Sequence, residues 1–338
     1  MPEKIRVGLI RCDTHGAYYA ALMDEHDPLK LRNPVQMGEP IRHSWQRGGA
    51  HFYFYTHYAD PTRIMVETVD GFELKKIYDD QDRRDAQILA DVFFGKPQVC
   101  DSLDDVTDDV DLVFISDCNG DGSDHLELAR PGLEKGVPTF IDKPMAFSLA
   151  DVQTILRLAE QNNAPVTSVS ILRALPNAGL FARRLPEVGQ LEFGTIQGGG
   201  THLAGHIHGI SLAIHIFGNG VRSVRCMGDT QLQTIHLDYG DQQDRPRRGV
   251  TINSDVGNVW HCAFHASAYG PKGAIHSPPL SDYDFPFGAA EILKIVRNMV
   301  HTRQTPPITQ DMVEGIAIAE AARAAQESGT SVDVDVIE

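Results

Sequence analysis

The stretch Gly136-Val137-Pro138-Thr139-Phe140-Ile141-Asp142-Lys143-Pro144 decides how the rest of the chain is read. A short apolar run bounded by Gly and Pro has the form of a strand buried in a parallel sheet. Ligands of open α/β sheets bind in the crevice beyond the carboxyl ends of the strands, so Lys143 is aimed at a ligand. Pro144 cannot extend the ladder and restricts the residue before it, which holds the lysine at a fixed turn. Lysine changes its proton affinity readily when desolvated, which suits proton transfer. The plainer alternative is a strand-end lysine in solvent.

The flanking segments repeat the theme. Residues 5–10 and 72–78 read as strands, 110–116 is an unbroken apolar strand, and 166–172 closes the set. Helical patterns fall between them at about 16–23, 86–90, 125–135 and 149–161. This alternation predicts an α/β Rossmann domain with a doubly wound parallel sheet over residues 1–172. Residues 173–338 read as an α+β domain with a mostly antiparallel sheet. Its strands are expected at 191–197, 221–227, 234–239, 249–251 and 258–268, and its helices at 202–217, 289–300 and 311–327. The segment 24–71 interrupts the scheme and carries His43, Trp45, His51, Phe52, Tyr53, Phe54, Tyr55, His57 and Tyr58. A structureless loop of that length is unusual in a compact domain, so a lid or an oligomer contact is expected. Its rings either stack on sugar or pack the insertion onto its own domain.

The 338 residues suffice for two domains, and 42% apolar with 22% charged residues is the composition of a globular chain. A net charge of −16 argues against nucleic acid or an anionic membrane as partner. No apolar run is long enough for a membrane span, and residues 1–6 lack the shape of a signal peptide, so a cytoplasmic location is the default expectation. The five cysteines, Cys12, Cys100, Cys118, Cys226 and Cys262, are odd in number and form no CxxC pair. That spacing indicates neither a disulfide framework nor a zinc ribbon. Cys12 and Cys118, at the ends of adjacent inner strands, read as small core residues and not as nucleophiles.

Three segments together resemble the glucose–fructose oxidoreductase, inositol dehydrogenase and rhizopine-catabolism family (Gfo/Idh/MocA). They are the strand 110–116 followed by His125 and a helix, Asp142-Lys143-Pro144 where that family usually has Glu-Lys-Pro, and Gly198-Gly199-Gly200 followed by a histidine-bearing helix. The resemblance implies NAD or NADP on the first domain and oxidation or reduction of a sugar, polyol or related carbonyl compound. It implies that Lys143 lies near nicotinamide and substrate and that His208 acts with it in proton transfer. Hydride chemistry belongs to the cofactor, so the protein need only orient the substrate and move one proton. His206 is a further catalytic candidate, and Arg173 and His202 are candidates for holding substrate. The cofactor would lie along Arg11, Cys12, Asp13, His15, Gly16, Asp79, Asn119 and His125. Members often pair through the second sheet, so a homo-oligomer, dimer or tetramer, is expected.

The chain also departs from the family. The G-x-G-x-x-G fingerprint becomes Arg11-Cys12-Asp13-Thr14-His15-Gly16, with only the third glycine kept. Asp13 places a carboxylate where a diphosphate would lie. At an effective dielectric near 20 and about 4 Å, two like charges repel by roughly 4 kcal/mol. Asp79 still matches the acid that bonds an adenosine ribose in NAD users. Helical histidines four apart, His202 and His206, could clip a divalent metal together with Asp13 and His15, although hydrogen-bonded or substrate-facing histidines are the simpler reading. Two alternatives to the oxidoreductase therefore stand. One is a related enzyme, without usual dinucleotide binding, that performs metal- or acid/base-assisted elimination, hydration or isomerisation of a sugar. The other is a non-catalytic sugar- or partner-binding protein.

Overall fold

The computed structural model describes residues 4–335 except 39, 56–63, 65, 200–202 and 255–262. Among the described residues the first sheet has six parallel strands in the order β3-β2-β1-β4-β5-β6. These are β1 (Ile5–Ile10), β2 (Phe72–Tyr78), β3 (Gln98–Val99), β4 (Leu112–Ile115), β5 (Thr139–Ile141) and β6 (Val166–Thr167). Every side chain of β4 is fully buried, which is why its sequence is apolar without alternation. Helices α1 (Thr14–Met23), α4 (Arg83–Val92), α5 (Leu103–Thr107), α6 (His125–Glu134) and α7 (Leu149–Gln161) connect the strands, after α2 (Pro28–Arg32) and α3 (Gly49–Phe54) of the insertion. The strand order reverses between β1 and β4, and a crevice opens at that switch point beyond their carboxyl ends.

The second sheet has eight strands in the order β12-β11-β7-β10-β9-β8-β14, with β13 on β11. They are β7 (Phe193–Gly198), β8 (Ser223–Met227), β9 (Thr234–Asp238), β10 (Val250–Asn253), β11 (Ala263–Gly270), β12 (Gly273–His276), β13 (Leu280–Ser281) and β14 (Val332–Asp333). All pairs are antiparallel except β7 with β10. Of the remaining helices, α8 (Ile171–Ala174) and α9 (Pro176–Arg183) precede this sheet, and α10 (Leu203–Phe217) packs across β7 and β10. Helix α12 (Thr309–Ser328) packs on α10 and β8, whereas α11 (Phe285–Thr302) lies against α1 and α8.

The expected architecture is therefore present, with local differences. The strand expected at 166–172 ends at Thr167, because the chain turns at Ser168–Ser170 and enters α8. Those serines face inward: Ser168 donates to the Asp142 carbonyl and Ser170 meets His208. The insertion carries short helices, and several of its described rings pack onto their own domain, while Phe52 is exposed and Tyr53 also meets Tyr283. Trp45 is fully buried, and Tyr53 and Phe54 lie 5.4 and 5.3 Å from the Tyr18 ring. His57 and Tyr58 lie outside the described residues.

Candidate active site

Strand β1 ends in the turn that replaces the glycine fingerprint. Arg11 takes the first glycine's place and adopts φ 66°, the left-handed conformation that glycine adopts freely and other residues reach at a cost of about 1–2 kcal/mol. Its guanidinium bonds Asp80 at 3.0 Å, Asp117 at 2.7 Å and also Asp124. These three carboxylates hold its proton more tightly than usual, although burial opposes the charge. Gly16, in the third glycine's place, has no room for a side chain. A Cβ there would stand 2.4 Å from the Arg11 carbonyl oxygen and 2.8 Å from Ser116 Oγ. The turn thus keeps the backbone shape and the close helix–strand packing of a nucleotide fold.

The side chains are another matter. Asp13, in the second glycine's place, caps α1 by accepting from the Gly16 N–H at 2.9 Å. Its second oxygen accepts from the Cys118 N–H at 2.5 Å. Asp79, the ribose candidate, accepts from the N–H groups of Cys12, Gln81 and Asp82 at 2.8–2.9 Å. Its pKa is raised, because burial outweighs those bonds. Trp45 of the insertion donates from Nε1 to the Cys12 carbonyl at 2.8 Å. A cleft of about 210 Å³ remains, lined by Arg11, Asp13, His43, Asp79, Asp117, Asn119 and Asp124 among others. Asp79 thus stands beyond the β2 end with both oxygens taken by backbone N–H groups, and Asp13 adds a carboxylate at the N-terminus of α1.

Across the switch point lies a second cluster. Lys143 follows β5, is 1% exposed, and donates from Nζ to the carbonyls of Cys118 at 2.6 Å and Asp117 at 3.4 Å. The solvent alternative for this lysine is thereby excluded. Asp142 is fully buried and accepts from Asp117 N–H at 3.0 Å and its neighbour Lys143 N–H at 2.8 Å. Its carboxylate also meets His15 Nδ1 at 2.5 Å. Burial opposes ionisation of both partners. Cys118 and Asp142 nevertheless hold the His15 pKa well above its usual value, and His15 and Lys143 lower that of Asp142. His208, on α10, meets Ser170 Oγ through Nδ1 at 2.7 Å. Burial, and then the charges of Lys143 and His15, push its pKa well below the usual histidine value. Lys143, His15, Asp142 and His208 are thus brought into one electrostatic neighbourhood.

The other candidates are placed differently. His125 is fully buried between the Pro144 carbonyl at 2.8 Å and Asp117 at 3.1 Å. Arg173 bonds Asp311 and so ties α8 to α12. His206 is buried in α10, and His202 lies outside the described residues. Asp13 and His15 already have protein partners. Among the described residues one group of three, Asp117, Asp124 and His125, has side-chain atoms within 4.8 Å of one another. The Arg11 guanidinium bonds both of its carboxylates, so the positive charge there is the protein's own. Cys12 is fully buried as expected, but the same reading of Cys118 is corrected. It is half-buried, in the loop beyond the end of β4. Sequence reasoning gave no role to Asp142 or Ser170. An aspartate preceding a strand-end lysine and a serine preceding α8 were the available signals.

Comparison with known proteins bears on this geometry. Residues 55–169 match the Gfo/Idh/MocA family model, described as an oxidoreductase family with an NAD-binding Rossmann fold. That match begins after the altered turn. No curated protein matches the chain. Among solved structures, scyllo-inositol dehydrogenase from Lactobacillus casei, with bound NAD(H) and scyllo-inositol, superposes with a TM-score of 0.69. It is 14% identical, over 98% of this chain and 99% of that one. A myo-inositol dehydrogenase from Corynebacterium glutamicum gives 0.68 at 16% identity, over 99% and 100%. The myo-inositol 2-dehydrogenase from Lactobacillus plantarum gives 0.70 at 14%, over 98% and 100%. At these identities the likeness is one of fold. The family match on β2 through β6 and the two-sheet fold along the chain make this protein similar to the Gfo/Idh/MocA oxidoreductase family over residues 55–169.

Proposed function

We propose that this protein interconverts a hydroxyl and a carbonyl on a sugar- or polyol-like substrate with NAD or NADP, in a crevice between residues 1–172 and 173–338. The observation that carries the reading is the buried placement of Lys143 just beyond β5, with Nζ on the Cys118 carbonyl at 2.6 Å, while Ser170 fixes the buried His208 at 2.7 Å. A bound nicotinamide would accept or return the hydride. Residues of this chain would handle the proton. His208 is held neutral, so it is ready to accept one. With Ser170 accepting from Nδ1–H, Nε2 is the base that takes the hydroxyl proton as the carbonyl forms. Lys143 would stabilise negative charge on the same oxygen. In the reverse direction His208 returns the proton. Inositol dehydrogenases share the fold, which supports a polyol as the substrate class.

The test is a titration with NAD(H) and NADP(H), read by protein fluorescence, followed by turnover assays on polyols and aldoses. Micromolar binding with reduction of the nicotinamide supports the reading; no binding of either cofactor sinks it. A second reading, hydride-free acid/base chemistry on a sugar, is favoured by the Asp13 carboxylate on α1 and the guanidinium of Arg11 in the crevice. Turnover of a sugar with no nicotinamide present would select it.

A further inference from the structure

We propose that His15 and Asp142 form a positioning pair that fixes the Lys143 ammonium in the crevice. The proposal rests on the reading above, in which Lys143 meets the reacting oxygen. A lysine head group on a flexible four-carbon stem has no place of its own. Two things set it: where the stem starts and which acceptors hold the nitrogen. Here both trace to one carboxylate.

Oδ1 of Asp142 accepts from the Lys143 N–H at 2.8 Å, at the root of the stem. Oδ2 accepts from the Asp117 N–H at 3.0 Å, where the loop after β4 begins. That loop supplies both acceptors of Nζ, the carbonyls of Cys118 at 2.6 Å and Asp117 at 3.4 Å. Asp142 is itself anchored, because its N–H donates to the Ile115 carbonyl of β4 at 3.0 Å. Stem, loop and carboxylate thus close a ring between the ends of β4 and β5.

His15 completes the ring from the first turn of α1, with Nδ1 at 2.5 Å from Oδ2. An ionised carboxylate only accepts, so Nδ1 is the donor. The carboxylate is fully buried, and this charge-assisted bond offsets part of its lost hydration. The Phe285 and Tyr19 rings, at 5.2 and 6.3 Å, cover the buried imidazole. Two residues earlier, Asp13 takes the Cys118 N–H at 2.5 Å. One turn of α1 therefore grips the acceptor loop and the carboxylate together. The turn that cradles a diphosphate in dinucleotide folds here steadies an ammonium.

The test uses the full chain and the variants His15→Leu, which has no donor, and His15→Asn, whose amide nitrogen stands where Nδ1 does. Amide hydrogen exchange, read by peptide mass spectrometry, needs no turnover. In His15→Leu, peptides covering residues 116–120 and 141–145 are expected to exchange about tenfold faster, with the second sheet unchanged. His15→Asn is expected to restore slow exchange. Wild-type exchange in a folded His15→Leu overturns the pair. Should His15→Leu not fold, His15→Gln, whose amide reaches the Nε2 position instead, takes its place. Kinetics then separates positioning from support of the fold. In His15→Leu, kcat on a polyol is expected to fall about 10–100-fold with the nicotinamide KM within about twofold, and His15→Asn is expected to recover most of it. Unchanged kcat beside faster exchange overturns the positioning role. A raised nicotinamide KM with kcat intact assigns His15 to the cofactor and overturns it as well. Absence of turnover in the wild type sinks the hydride reading alone, because exchange still decides whether the pair holds the Lys143 turn.

Discussion

The Asp13 carboxylate spans the switch point: one oxygen caps α1 and the other takes the Cys118 N–H at 2.5 Å, joining the turns after β1 and β4. On the proposed reading, a diphosphate bound at the N-terminus of α1 would meet that charge. Repulsion of roughly 4 kcal/mol at about 4 Å is the ceiling, and water and Arg11 reduce it. Asp13→Asn keeps an acceptor for the cap and removes the charge. It is expected to tighten NAD(H) binding by about 10–100-fold, measured by fluorescence titration. Unchanged affinity would mean that the diphosphate does not pass this side chain.

Lys143→Met keeps the stem and removes the ammonium. Turnover should fall by about 10²–10⁴-fold with far-UV circular dichroism unchanged. Activity within a few-fold of wild type would exclude Lys143 from the chemistry.

The His208 pKa is depressed, so the folded protein prefers the neutral ring. That contribution to stability is complete above the unfolded histidine value of about 6.5. It is lost as pH falls from there towards the folded value, because the unfolded chain takes up the proton first. His208→Gln should therefore flatten the acid side of the melting-temperature profile below that point. His15 and Asp142 act in opposite senses. The raised pKa of His15 gives stability that is lost on the alkaline side, and the lowered one of Asp142 gives stability that is lost on acidification. An identical slope in wild type and His208→Gln would show that the ring is not buried neutral.

Gly16→Ala should destabilise the fold by about 1–3 kcal/mol, since the new Cβ would press on the Arg11 backbone and Ser116. Thermal melting and urea titration measure this, and an unchanged midpoint would contradict the close packing of α1 on β1.

Arg11→Met should cost about 3–5 kcal/mol, because three carboxylates lose their shared guanidinium and the buried Asp117 keeps only His125 as its side-chain partner. Lowering the pH should recover part of the loss as the carboxylates take up protons. A variant as stable as wild type would make the guanidinium cluster superfluous.

The first sheet was legible because β1, β4 and β5 lie in largely apolar runs and β2 buries alternate residues, each standing out between helical patterns. Strand β3, two residues long, carries too little pattern to be read. The fixed, strand-end position of Lys143 was legible in the apolar run before Pro144, whereas His208 was singled out by the family resemblance alone. The His15–Asp142 pair was not legible, since 127 positions separate its members and only the closing of the sheet joins them. Arg173 shows the reverse: a basic residue near the crevice in sequence, spent on Asp311 once α12 docks. Nor does sequence show that Arg11 would accept a glycine's backbone conformation. Its three carboxylate partners come from the turn after β2 and the loop before α6.

The indole of Trp45 donates to the carbonyl of Cys12, inside the turn that keeps only the third glycine. The insertion and the altered turn are therefore one mechanical unit. Grafting a glycine-rich loop into residues 11–16 would leave that ring pinning the graft from outside. Converting this crevice into an ordinary dehydrogenase groove would mean exchanging both pieces at once, and relatives that carry one without the other should be rare.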